Sequence, residues 1–320
     1  MTRIGVISNP RSRQNLQGMA AIDEVLAGRP DVLHAEARRP AEVADALRDL
    51  ARREVGLVVV NGGDGTVQAT LTALFNEGMF ERPPRLAVLP AGMTNLIALD
   101  VGLKGRRDRA LARLIERNAA GDGLVEMTRP VLALRYAADG PPVYGMFGGA
   151  AAFYRATLLG RREVHSLGAQ RSLAAGLALG LSVLQVLFRR HGGSNGLFRG
   201  DRMTIEVDGR ARPEREYFLL LATTLDRLLL GLRPFWGGGP GRLRHTSIEF
   251  PPRRFARALV PTLRGRPRPW MADCGYVSGL ADRIVLRLTT PFVLDGEIFM
   301  PTPGVPLTLT ADRRAVFVTC

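Results

Sequence analysis

The sequence predicts an α/β fold: an amino-terminal parallel-sheet domain followed by a β-rich, mostly antiparallel second domain. Three observations carry this. Strand-like and helix-like segments alternate over roughly the first 125 residues. The apolar run Leu57-Val58-Val59-Val60 empties into Gly62-Gly63-Asp64-Gly65-Thr66. From about Met127 onward, short β-like segments separated by Gly/Pro turns replace the alternation.

The elements follow in order. Arg3–Ser8 is a short apolar strand ending in Asn9-Pro10, residues 17–28 are helix-like, and Asp31–Ala35 is a second strand. Pro40 opens a helix over 41–53, because its fixed φ suits the first turn, and Val43, Ala46, Leu47 and Leu50 share one face. Leu57–Val60 is the third strand, Val67–Phe75 a helix, Leu86–Leu89 the fourth strand, and Asn95–Leu99 begins another helix. This spacing means a parallel sheet with helices on both faces, and such sheets bind ligands at the carboxyl ends of their strands. In the second part, β character appears at 131–136, 143–147, 203–207, 216–223, 246–250, 283–289, 306–310 and 315–319. One long helical candidate interrupts them, Ser172–Phe188, uncharged throughout but shorter than the ~20 residues of a membrane span. It reads as a buried or cleft-lining helix, with a membrane-contacting helix as the alternative. The expected domains are 1–127 and 128–320, the last strands packing back on the first domain, since 320 residues exceed the usual size of one core.

Composition narrows the class. The hydrophobic fraction of 46% and a mean hydropathy near zero fit a globular protein. Cys274 and Cys320 form no disulfide framework, and four scattered histidines form no zinc pattern. That cysteine usage points to a reducing cytoplasm, and residues 1–10 read as a strand rather than a charged leader. The net charge is +14, and Lys104 is the only lysine among 44 basic residues. Arg253, Arg254, Arg257, Arg264, Arg266 and Arg268 fall in one stretch without an acid, which suits phosphates or an anionic membrane surface, or simply a solvated loop. Nucleic acid is not an expected partner, because aromatic interleaving is sparse and no nucleic-acid motif is visible.

Three motifs carry chemistry. Glycines let a main chain approach phosphates closely, so Gly62–Thr66 points to a nucleotide. The loop lacks the G-x-G-x-x-G spacing, and no G-x-x-x-x-G-K-[ST] occurs, so phosphate charge must be met by amides, arginine, or a cation held by Asp64. The turn Pro90-Ala91-Gly92-Met93-Thr94-Asn95 follows the next strand and forms a second polar wall of the same crevice. Far away, Leu294-Asp295-Gly296-Glu297 offers either a general base with an orienting partner or a plain Asp-Gly hairpin turn.

Together these motifs, with Asn9-Pro10 and Ser278-Gly279-Leu280-Ala281-Asp282 in the same order and spacing, resemble the diacylglycerol kinase catalytic-domain family, which includes bacterial lipid kinases and the sphingosine and ceramide kinases. The resemblance implies a Rossmann-like, NAD kinase/diacylglycerol kinase-like amino-terminal domain for ATP and a β-rich second domain for the lipid. It implies that Asn9, Gly62, Gly63, Asp64, Gly65, Thr66, Val67, Gln68, Gly92, Met93, Thr94 and Asn95 bind ATP, with Asp64 acting on Mg²⁺ through water. Asp295 would be the general base toward a lipid hydroxyl, assisted by Glu297. The implied setting is phospholipid metabolism at the membrane surface, with the protein peripherally attached. A homodimer is one option for its assembly.

The chain departs from the family pattern in several places. Arg13 stands where the family's Asn-Pro-x-Ser-Gly loop has glycine, and Met93 stands where it has threonine, with Thr94 one place later. Gln68-Ala69 replaces the commoner Asn-Glu, and no threonine follows the second strand in Ala35–Pro40. Residues 237–244 contain no acid, so the structural magnesium site of bacterial lipid kinases is expected to be missing. An NAD kinase-like enzyme and a catalytically inactive nucleotide- or lipid-binding regulator are the alternative readings.

Overall fold

The computed structural model describes residues 2–166 and 198–320, with the side chains of 162–166 left aside. Its elements fall into two units. The first holds Met1–Val131, Val143–Gly145 and Arg313–Cys320; the second holds Leu132–Pro142 and Met146–Asp312.

In the first unit, β1 (Ile4–Ser8), β2 (Leu33–Glu36), β3 (Leu57–Gly62) and β4 (Arg85–Pro90) are joined by the end of β16 (Leu307–Thr319). Their order is β2-β1-β3-β4-β16, and every pairing is parallel. Alternation along β1 sorts the helices to opposite faces. Ile4 and Val6 join a core with Ile22 and Leu26 of α2 (Ala20–Ala27) and with Leu111 and Leu114 of α6 (Arg107–Ala120). Gly5 points the other way, where a Cβ would lie 2.6 Å from the Leu50 side chain of α3 (Pro40–Arg52). Helices therefore cover both faces, as the alternation predicts. Pro40 opens α3, and Val43, Ala46, Leu47 and Leu50 form its buried stripe.

The second unit is antiparallel. β7 (Phe147–Ala151), β8 (Asp201–Val207), β10 (Arg215–Thr223), β13 (Arg283–Leu288), β14 (Phe292–Leu294) and β15 (Glu297–Phe299) are ordered β15-β14-β7-β10-β8-β13, followed by the first part of β16. β10 also pairs β11 (Leu243–Glu249), which pairs β12 (Tyr276–Ala281). A separate core joins Phe218, Ile248 and Tyr276 to Ala258 of α8 (Phe255–Leu263) and Met271 of α9 (Trp270–Asp273).

Several sequence expectations need correction. The helix of 17–28 is two pieces, α1 (Asn15–Gly18) and α2, broken after Gly18, the residue with the weakest hold on a helix bar proline. The segments 306–310 and 315–319 are one 13-residue strand, β16. The arginine-rich stretch 253–268 is not simply a loop, because α8 runs through it. Helices α6 and α7 (Ala152–Ser166) and strands β12, β14 and β15 form as well, without a local pattern that announces them. The uncharged segment Ser172–Phe188 lies outside the described residues. Among those described, no helix is long and apolar enough to cross a membrane.

His245 on β11 is 3% exposed, and burial, reinforced by the positive charge of Arg212, pushes its imidazole down to about 4. The unfolded chain, with an ordinary histidine near ~6.5, binds more protons between those two values. This contribution to stability is therefore complete above about pH 6.5 and is lost as pH falls toward 4. Urea denaturation should show a loss of about 3 kcal/mol across that window from this group. The loss should be missing in His245→Gln.

Candidate functional site

Three loops leave the carboxyl ends of the adjacent strands β1, β3 and β4 and are bound to one another. Asn9 N–H donates to the Asn61 carbonyl at 3.0 Å, and its side-chain amide donates to Thr66 Oγ1 at 3.0 Å. Ala91 N–H donates to the Gly62 carbonyl at 3.0 Å. Between the second and third loops no side chain intervenes: a Cβ on Gly92 would lie 2.6 Å from the Gly63 Cα. Gly62 is equally constrained, since a Cβ there would meet the Thr66 side chain at 2.5 Å.

Helix α4 (Asp64–Glu77) starts in this cluster, with Gly63 as its N-cap. The Asp64 and Gly65 amides open its first turn, where no intrahelical acceptor exists, and neither has a partner among the described residues. Such amides, aided by the helix dipole, suit an anion. The Val67 amide is spent on the Gly63 carbonyl at 3.1 Å, and its side chain is only 1% exposed, so Val67 is a core residue with no surface to offer a ligand. Gln68 is buried as well.

The polar side chains mostly brace the loops. Asp64 accepts from Thr94 Oγ1 at 2.8 Å and from the Leu96 and Ile97 amides at 3.0 and 2.9 Å, capping α5 (Leu96–Val101) from another loop. Desolvation pushes the Asp64 carboxyl above the usual range, while the Ile97, Leu96 and Thr94 donors pull it back. Asn95 adopts a left-handed conformation at φ 50°. Its amide group exchanges two bonds with Gly92, accepting from the N–H at 2.7 Å and donating to the carbonyl at 3.0 Å.

Arg107 of α6 escaped the sequence reading. It donates to Asn15 Oδ1, to Asn61 Oδ1 at 3.3 Å and to the Gln14 carbonyl at 2.8 Å, locking the first loop. No local motif announces it, because it lies 92 residues from Asn15.

In the second unit, Asp295 and Gly296 both have positive φ, 49° and 88°, and join β14 to β15 as a two-residue hairpin turn. The Asp295 carboxylate also accepts from the Met146 and Phe147 amides, both at 2.9 Å, and its own N–H donates to the Phe147 carbonyl at 2.8 Å. Glu297 turns to Arg161 of α7 at 3.4 Å and is exposed.

Among the described residues, no group of three His, Cys, Asp or Glu side chains gathers as a metal cage. Mg²⁺ with a nucleotide takes most of its oxygens from water and phosphate and needs only one or two carboxylates. Asp64 fits that use through water, since its Oδ1 accepts one hydrogen bond and Oδ2 accepts two. The glycine contact is testable by stability. Gly92→Ala should cost about 1–3 kcal/mol in urea denaturation. Gly28→Ala, whose Cβ meets nothing closer than 3.9 Å, should not.

The sequence profile of the diacylglycerol kinase catalytic domain matches residues 3–129. "Probable lipid kinase YegS" from Escherichia coli O127:H6 (strain E2348/69 / EPEC) is 30% identical over 139 residues, 42% of this chain and 45% of that protein. The Shigella flexneri protein of the same name matches to the same extent. The chain thus spans 45% of the length of these curated relatives. Two solved structures from Bacillus anthracis str. Sterne match over 99% of this chain and 96% of theirs, with TM-scores of 0.63 and 0.58 and identities of 18% and 17%. The second is described as a diacylglycerol kinase, and at these identities the likeness is one of fold. Over residues 3–129, the chain is similar in sequence to the diacylglycerol kinase catalytic domain.

Proposed function

We propose that this chain is an ATP-dependent lipid kinase that transfers the γ-phosphoryl group to a hydroxyl of diacylglycerol or a related lipid. The observation that carries this reading is the knot of three loops on β1, β3 and β4, with the free amides of Asp64 and Gly65 at the start of α4, inside a segment matched by the diacylglycerol kinase catalytic domain. Asn9, Gly62, Gly63, Gly65, Thr66, Gly92, Met93, Thr94 and Asn95 form or brace the phosphate face. Mg²⁺ supplies charge neutralisation at the phosphates, and Asp64 holds it through water.

The lipid hydroxyl oxygen attacks the γ-phosphorus, the bond to the ADP oxygen breaks, and the hydroxyl proton passes to the Asp295 carboxylate. Little covalent chemistry falls to the protein, so rate comes from positioning and charge neutralisation. Asp295 suits a base because two backbone amides hold its carboxylate in one orientation. Glu297, paired with Arg161, steadies that turn. The purified protein with ATP, Mg²⁺ and a lipid panel should yield a phosphorylated lipid, and Asp295→Asn should lower kcat by about 10²- to 10⁴-fold. Full activity in that variant removes Asp295 as the base, and phosphorylation of NAD instead of lipid overturns the substrate class.

Peripheral attachment to an anionic membrane is part of the same proposal. Arg253, Arg254, Arg257, Arg264, Arg266 and Arg268 surround α8, are exposed, and have no ion-pair partner among the described residues. Arg254 rests over the Trp270 ring at 5.4 Å, and Val260 on the helix is 52% exposed. Cations near an anionic leaflet each contribute about 1 kcal/mol. Replacing Arg253, Arg254 and Arg257 together by Glu should weaken co-sedimentation with phosphatidylserine vesicles by at least about tenfold and leave neutral vesicles unaffected.

A further inference from the structure

We propose that Arg13 is a phosphate-binding residue, a guanidinium fixed at the glycine loops to meet the β- and γ-phosphates of the nucleotide. The inference rests on the nucleotide reading of the loop cluster and adds a residue to it.

The neighbours of Arg13 set its place. Ser12 Oγ accepts from the Gly63 N–H at 3.3 Å, and Gln14 N–H donates to the Ala91 carbonyl at 2.9 Å. Arg13 is thus held between the turn that starts α4 and the turn that starts α5. Its guanidinium donates to the Met93 sulfur at 3.1 Å, and Met93 directly follows Gly92, which packs on Gly63. Arg13 and Met93, each a departure from the family pattern and 80 residues apart, therefore touch.

Charge gives the contact its meaning. A thioether is a weak acceptor, so Met93 orients the guanidinium without neutralising it. Arg13 has no carboxylate within ion-pair distance among the described residues. The carboxylate of the cluster, Asp64, is engaged by Thr94, Leu96 and Ile97 instead. Arg107 shows the contrast: it meets three oxygen acceptors and is spent on the loop. Arg13 keeps its donors for an incoming group. The chain also has no phosphate-loop lysine, and a guanidinium fork matches phosphate oxygens in pairs.

Isothermal titration of the purified full chain with ATP and with AMP tests this without any catalytic step. Arg13→Ala and Arg13→Gln should each weaken ATP binding about ten- to a hundredfold and leave AMP binding within about twofold. Arg11→Ala, which removes an exposed charge two residues away, should leave both unchanged. Thermal melts establish that each variant is folded, and the glutamine variant keeps the test open if alanine disturbs the loop. If the parent chain binds ATP and both Arg13 variants bind it equally well, the inference is wrong while the nucleotide reading stands. If Arg11→Ala loses as much as Arg13→Ala, diffuse charge accounts for the effect and the fixed contact is rejected. If the parent chain binds no ATP with or without Mg²⁺, both readings fall.

Discussion

Gly63 and Gly92 meet backbone to backbone, so close that one methyl group on Gly92 would stand 2.6 Å from the Gly63 Cα. This contact lets the loops after β3 and β4 close on each other with nothing between them. Asp64 can then reach across to cap α5, and Ala91 can bond Gly62. The arrangement has a chemical consequence: Thr66, Asn95, Thr94 and Asp64 are occupied in holding loops together. What remains outward is main chain, above all the first amides of α4. A surface of fixed N–H dipoles binds an anion without having to reorganise.

The arginines near this surface divide by what their donors meet. Arg107, partly buried behind the first loop, has its charged form disfavoured by desolvation and its donors filled by Asn15, Asn61 and Gln14. Arg13, held between two turns, has a sulfur atom for company. Composition cannot make this distinction, because every arginine adds the same charge to the total. The difference lies in which acceptors the fold brings near.

Asp295 shows a residue serving two levels at once. Asp-Gly favours a tight hairpin turn by itself, because both residues tolerate positive φ, and the turn forms between β14 and β15. The tertiary structure then presents the carboxylate to the Met146 and Phe147 amides, 149 and 148 residues away. A turn reading and a functional reading of these residues are therefore compatible.

Much of the fold was legible in the order of the elements. The apolar runs at Ile4–Ser8, Leu57–Val60 and Leu86–Leu89 and the amphipathic stripe of α3 declare strands and a helix through local periodicity, and a glycine-rich exit from a buried strand declares a close approach. The positions of the candidate loops followed from the same signals. Helix α6, the split at Gly18 and the unbroken β16 were not evident, since weak or mixed local preference leaves such segments to their packing partners. Only the tertiary structure could decide that Val67 belongs to the core, that Asp64 caps a distant helix, that Arg107 locks the first loop, and that Arg13 lies against Met93. Each is a matter of what lies beside a residue across a long gap in the chain, and periodicity along the chain carries no record of that distance.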